Sequence, residues 1–135
     1  MLFLSSCTPS IKVDKRSASP ELLECRMMFG QNIHELKLLS ASFLQTGVID
    51  TTTETPPIKV AVVMIGRKDY YLHLINTKTE ENEIQQSYAG NGYNLILSYH
   101  ENGSYNHLPK YEGKFTISDS INKAEYKVEG YKCDL

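Results

Sequence analysis

The chain has 135 residues, a formal net charge of −2 and 41% hydrophobic residues, enough for one ordinary domain and too few for two. A charge so close to balance supplies no clustered basic face, which excludes nucleic acid as a partner. No run approaches the ~20 apolar residues of a membrane-spanning helix, the longest being the strand-sized Val60–Ile65.

The chain begins with the apolar Met1-Leu2-Phe3, followed by Leu4-Ser5-Ser6-Cys7. This run resembles the lipobox of bacterial lipoproteins: a leucine, two small residues and the cysteine that receives the lipid. The resemblance implies cleavage before Cys7, with residues 1–6 the remnant of a signal peptide whose apolar run is longer than the part seen here. It also implies attachment to a membrane through a lipid such as palmitate on Cys7. Thr8 stands where an aspartate would mark inner-membrane retention, so in a Gram-negative host the implied address is the outer membrane, facing the periplasm. Residues 7–21 hold prolines, serines and mixed charges without an apolar period, and read as a lipid-anchored flexible tether. Residues 22–135 then form the β domain.

There are three cysteines. With Cys7 set aside for lipid, Cys25 and Cys133 remain, near the two ends of the β domain and within segments that both read as strands. An exporting compartment oxidises such a pair if the first and last strands are neighbours. The alternative is two buried free thiols.

The pattern is β nearly throughout. Leu22–Phe29 reads as a first strand, ended by Gly30. Residues 34–47 carry Leu36, Leu39 and Phe43 at helical spacing and also a strand alternation; the β neighbours favour strand. Ile58–Ile65, opened by Pro56-Pro57 and closed by Gly66, is a β-branched run apolar enough to be buried on both faces. Arg67-Lys68-Asp69 forms a turn into Tyr70–Ile75, residues 76–82 form a polar loop, and Glu83–Tyr88 is a short strand. Ala89–Gly92 is a tight connection, because Asn-Gly accepts the positive φ of a two-residue hairpin turn. Tyr93–His100 alternates, Asn102–Pro109 is a turn region, and Tyr111–Ser118 follows. Ala124–Cys133 alternates apolar and charged residues, the mark of a half-solvated antiparallel strand. Strict alternation places Cys133 on the charged face, so a bulge at Gly130 is expected to return it to the core. Seven to eight short strands imply a single antiparallel all-β domain, either a sandwich or a small barrel.

Catalytic signatures are scarce. The four histidines show no metal-ligand spacing and no CxxC is present, so the sequence implies no cofactor, no metal and no enzyme. His100 and His107 flank the Asn102-Gly103 turn and carry the alternative of a small envelope enzyme. The aromatic and amide residues Tyr99, Tyr105, Asn106, His107 and Tyr111 form a candidate binding patch, since tyrosine supplies rigid contact area and loops on a fixed scaffold commonly carry function. The leading expectation is a lipid-anchored, non-enzymatic binding or structural domain with an envelope protein as partner. A further alternative comes from similarity to lipoprotein inhibitors of c-type lysozyme, small β-barrels with bridged first-strand and last-strand cysteines. Cys25 and Cys133 fit that layout and Gly92-Tyr93 is similar to part of their Ser-Gly-x-x-Tyr loop. Ala89-Gly90-Asn91 departs from it, and their aromatic-Lys-Gly segment is missing.

Overall fold

A computed structural model describes residues 11–50 and 57–133. The Leu4–Cys7 motif and most of the polar loop after Asp50 lie outside the described residues. Nine strands and one helix follow in order: β1 Val13–Asp14, β2 Glu24–Gly30, α1 Ile33–Leu39, β3 Ser42–Ile49, β4 Ile58–Ile65, β5 Lys68–Glu80, β6 Glu83–Gly90, β7 Tyr93–Tyr105, β8 Leu108–Ser118 and β9 Lys123–Lys132.

Local chemistry dictates the hairpins. Gly66-Arg67, Asn91-Gly92 and Asn106-His107 all hold both central residues at positive φ, the geometry whose twist matches that of the flanking strands. Each strand therefore pairs antiparallel with the next, from β2 through to β9. β9 then returns to β2, with Met27 opposite Lys132 and Gly30 opposite Glu129, closing an eight-stranded barrel. The choice between sandwich and barrel is thereby resolved in favour of the barrel.

The interior is filled. Phe29, Leu44, Ala61, Val63, Leu72, Leu95, Leu97, Phe115 and Ile117 are all fully buried in one cluster. The outer wall of β6–β9 carries Glu83, His100, Glu112, Lys114, Glu125 and Lys127, several of them paired across strands. An apolar inside and a charged outside are the inverse of a membrane-spanning barrel, which needs an apolar outer band.

Several strands run longer than the sequence pattern indicates. Residues 76–80 and 102–105 belong to strands rather than to loops, because each segment absorbs one extra residue as a bulge: the ladder shifts between Leu74 and Asn76 and between Glu101 and Ser104. Polar composition there reflects solvent on both faces of the strand ends, where Ile75–Glu80 and Glu101–Ser104 are all exposed, rather than a break in the ladder. The turn into β5 is Gly66-Arg67, so Lys68 and Asp69 are already paired. Residues 34–47 are neither wholly strand nor wholly helix. Asn32 caps α1, its Oδ1 accepting the Glu35 N–H at 2.7 Å, and Ser40 ends it at φ 51. The strand reading holds only from Ser42.

The expected bulge at Gly130 is absent, since β9 keeps register with both neighbours. The interruption lies in β2 instead, between Cys25 and Met27. Alternation along β9 is kept to the end: Tyr131 and Cys133 face outward into a second small core made with Met28, Ile33 and Leu36 beneath α1. Cys25 and Cys133 are joined there, their Cα atoms 5.6 Å apart. On the interior side Gly130 is required, because a Cβ would come within 2.5 Å of the Phe29 ring.

The tether reading of residues 7–21 is corrected from Ile11 onward. Ile11 and Val13 are buried in the main core, and Val13 and Asp14 pair with Ile65 and Met64. The Tyr126 hydroxyl accepts from the Val13 N–H and donates to the Ile11 carbonyl, both at 2.8 Å. The chain then crosses the outer face of β3, where Gln45 accepts from the Ser19 N–H and donates to the Ser17 carbonyl. That strap lies over the face carrying Val60 and Val62, which explains why β4 is buried on both sides. A polar, proline-containing segment is held because its backbone finds partners, which composition does not reveal.

The bridge spans 108 residues, and constraining a loop of that size is worth ~4–5 kcal/mol in the chain-entropy model. Reduction is expected to lower unfolding stability by about 2–5 kcal/mol in urea titrations. Gly130→Ala is expected to cost ~1–3 kcal/mol through overpacking. An unchanged urea midpoint in Gly130→Ala would show that the seam tolerates a side chain there.

Candidate functional site

The two ends of the barrel differ. At one end lie the Gly66-Arg67 and Asn91-Gly92 turns, and there Ile11 and Val13 fill the mouth from below Tyr126. At the other end, near the Asn106-His107 turn and the Cys25–Cys133 bridge, a cavity of about 560 Å³ opens to solvent. Its apolar floor is made by Met27, Leu74, Ile84 and the ring of Tyr99, and Thr46, Thr77 and Gln86 add polar atoms to the wall. Among the described residues no carboxylate lines it.

Cations stand at the rim. Lys59 shares the interior face of β4 with Ala61 and Val63, and Lys132 shares the interior face of β9 with Val128. Both therefore project over the mouth, the Lys132 ammonium lying 6.0 Å from the centre of the Tyr111 ring. Arg26, the extra residue of the β2 bulge, also lines the opening and pairs with Glu24 at 2.5 Å. Neither Lys59 nor Lys132 forms an ion pair among the described residues.

Burial sets the protonation of the wall. Tyr88 is 3% exposed, and desolvation followed by the neighbouring Tyr99 phenol hold its hydroxyl well above the ordinary tyrosine range. That neutral hydroxyl donates to Gln86 Oε1 at 3.0 Å, which turns the Gln86 amide NH2 toward other acceptors. Tyr99 is raised as well, by desolvation first and then by Tyr111.

The candidate patch from Tyr99 to Tyr111 is divided by the structure. Tyr99 and Tyr111 are each 7% exposed and meet edge-on inside the barrel at 5.9 Å. Tyr105, Asn106 and His107 lie outside, with the Tyr105 hydroxyl 3.2 Å from His34 Nδ1. The bulge at Asn102-Gly103, with Gly103 at φ +80, reverses the alternation and turns Tyr105 outward. Two patch residues thus belong to the core and to the wall of the mouth, and three to an exposed hairpin tip.

His100 and His107 are not brought together. From His100 to the end of β7 the partner strand advances four residues, from Glu112 to Leu108, roughly 13 Å at the ordinary strand rise. His100 instead sits between Glu83 (3.8 Å) and Glu112 (3.5 Å) on the outer wall. The open groove around it carries charges of both signs. Among the described residues no group of three His, Cys, Asp or Glu side chains could hold a metal ion, and no helix is long and apolar enough to cross a membrane.

Lys59, Lys132, Gln86, Met27, Leu74 and Ile84 were not singled out by sequence reasoning. One signal was present: Lys59 and Lys132 interrupt otherwise apolar alternation at the ends of two strands, on the face that points inward. Compared with protein families, curated proteins and solved structures, the chain matches none.

The tyrosines generate a pH prediction. Native Tyr88 and Tyr99 keep their protons to higher pH than the same residues in the unfolded chain, whose phenols ionise near ~10. Stability is therefore complete below that value and falls as pH rises through it, because the native state then binds more protons. Urea midpoints should be flat from neutral pH to ~10 and decline above it. Tyr88→Phe should flatten the decline; a variant falling as steeply as the parent would remove Tyr88 as its source.

Proposed function

We propose that this protein is a cell-envelope lipoprotein whose barrel is a non-enzymatic binding domain, anchored through Cys7 and, in a Gram-negative host, held in the outer membrane facing the periplasm. The observation that carries the reading is the asymmetry of the barrel: one mouth is plugged by Ile11 and Val13, the other opens on a cavity with an apolar floor and a few polar groups. Small-molecule sites commonly have that composition and a volume of roughly 300–1,000 Å³. Among the described residues the lining holds no imidazole, carboxylate or thiol that would act as base or nucleophile, which favours binding over catalysis. The Cys25–Cys133 bridge supports an oxidising compartment.

Two tests separate address from activity. In a Gram-negative host, with a complete signal sequence, the protein is expected to incorporate labelled palmitate and Cys7→Ala to lose the label; label kept by that variant rejects the anchor. For binding, a ligand that raises the melting temperature should lose its effect in Ile84→Trp, which fills the mouth. Stabilising ligands indifferent to Ile84→Trp would move the function to another surface.

A second reading is inhibition of c-type lysozyme. It is favoured by the bridge between the first and last barrel strands, the layout that the resemblance implies. The segment similar to the inhibitor loop is the Asn91-Gly92 turn at the plugged end, where Tyr93 meets Tyr70 edge-on at 5.2 Å. A lysozyme activity assay with the parent and with Tyr93→Ala decides it.

A further inference from the structure

We propose that the open mouth binds an anion-headed single-chain amphiphile, with its tail on Met27, Leu74 and Ile84 and its head between Lys59 and Lys132. This rests on the reading of the barrel as a binding domain and names the chemistry of its ligand.

Three features specify that chemistry. The floor offers Met27, Leu74, Ile84 and the ring of Tyr99, with Thr46, Thr77 and Gln86 adding polar groups around them, so a ligand gains by placing hydrocarbon against the apolar four. Above the floor, two lysines occupy interior-facing positions where every deeper residue of β4 and β9 facing the same way is apolar or glycine. A lysine at such a position costs core packing and supplies a strongly hydrated point charge. Arg26 is paired with Glu24, while Lys59 and Lys132 have no ion-pair partner among the described residues. Glu101, the carboxylate on the same interior face of β7, stands across the opening beside Tyr111 and does not line the cavity. Among the described residues the charge lining the mouth is thus positive on the β4 and β9 side, although the chain as a whole is at −2.

The depth of the cavity bounds the tail. Directly beneath it Phe29, Leu95, Leu97 and Phe115 are fully buried and close the barrel axis. A medium-length chain is accommodated and a long one must leave its end in water. A bare inorganic anion finds the lysines but gains nothing from the floor, and a neutral alcohol gains the floor alone.

Decanoate, decanol and decyltrimethylammonium, compared by calorimetry below their aggregation concentrations, test this on the full chain. Decanoate is expected to bind about tenfold more tightly than the other two, a difference of ~1.4 kcal/mol, and to shift NMR signals of Met27, Leu74 and Ile84. Lys59→Glu and Lys132→Glu, both at exposed positions, should weaken decanoate about tenfold and leave decanol unchanged, with the melting temperature preserved. Hexadecanoate should bind no more tightly than decanoate. Decanol binding as tightly as decanoate at the same residues would overturn the anionic head and leave the binding domain standing. Failure of all three to perturb the mouth would overturn the amphiphile, and with Ile84→Trp-sensitive ligands also absent it would overturn the binding domain itself.

Discussion

Closing a meander into a barrel requires the first and last strands to pair, and here that seam is short. It runs only from Met27 to Gly30 on β2 against Glu129 to Lys132 on β9. The two strands come from opposite ends of the fold, so their pairing carries the largest loop-closure cost in the molecule. Every neighbouring feature reinforces it. Inside, Phe29 lies against the bare Cα of Gly130. Outside, α1 covers the seam with Ile33 and Leu36 packed on Met28 and Tyr131. Glu129 accepts the Ile33 N–H at 2.8 Å and so ties the start of α1 to β9. At the end of the seam Cys25 and Cys133 make it covalent.

The rest of the architecture depends on that closure. With β2 and β9 joined, each strand acquires an inside and an outside, and the alternation seen along β9 becomes a filled core against a charged wall. The outward-facing Cys25, Tyr131 and Cys133 do not contradict the pattern, because α1 supplies a second apolar surface for them. Closure also creates two mouths, and the chain treats them differently. Residues 11–16 seal one through backbone pairing and the Tyr126 hydroxyl, whereas at the other the apolar filling stops at Met27, Leu74 and Ile84.

The all-β class and the strand pairs around Gly66 and Asn91-Gly92 were legible because turn chemistry and alternation are local signals. So was the disulfide, from the positions of two cysteines in the first and last strands. What could not be read depended on partners distant in sequence. Gln45 holding Ser17 and Ser19, or Phe29 demanding a glycine at 130, leaves no mark within any short window. Bulges were harder still. One residue inserted at Asn102-Gly103 or at Ile75 reverses every side chain beyond it, so Tyr99 and Tyr105 face opposite ways although their spacing puts both on one face. For the same reason the mouth escaped notice: its lining comes from β2, β3, β4, β5, β6, β7 and β9, with one to three residues from each.

The docking of residues 11–16 changes the geometry that a lipid on Cys7 would impose. A tether reaching to residue 21 would let the domain tumble freely above a bilayer. With Ile11 buried in the core, only the four peptide steps from Cys7 to Ile11 lie between lipid and barrel, at most ~14 Å when fully extended. The described segment enters at the plugged mouth, so a lipid on Cys7 would hold that end toward the membrane and leave the open mouth pointing away from it. Lys59 and Lys132 would then face solutes or neighbouring molecules rather than the headgroups beneath such an anchor. The N-terminal segment would thus join two roles in one stretch of chain: it seals one end of the barrel, and under a lipid on Cys7 that end would be the one nearest the bilayer, leaving the opposite mouth exposed.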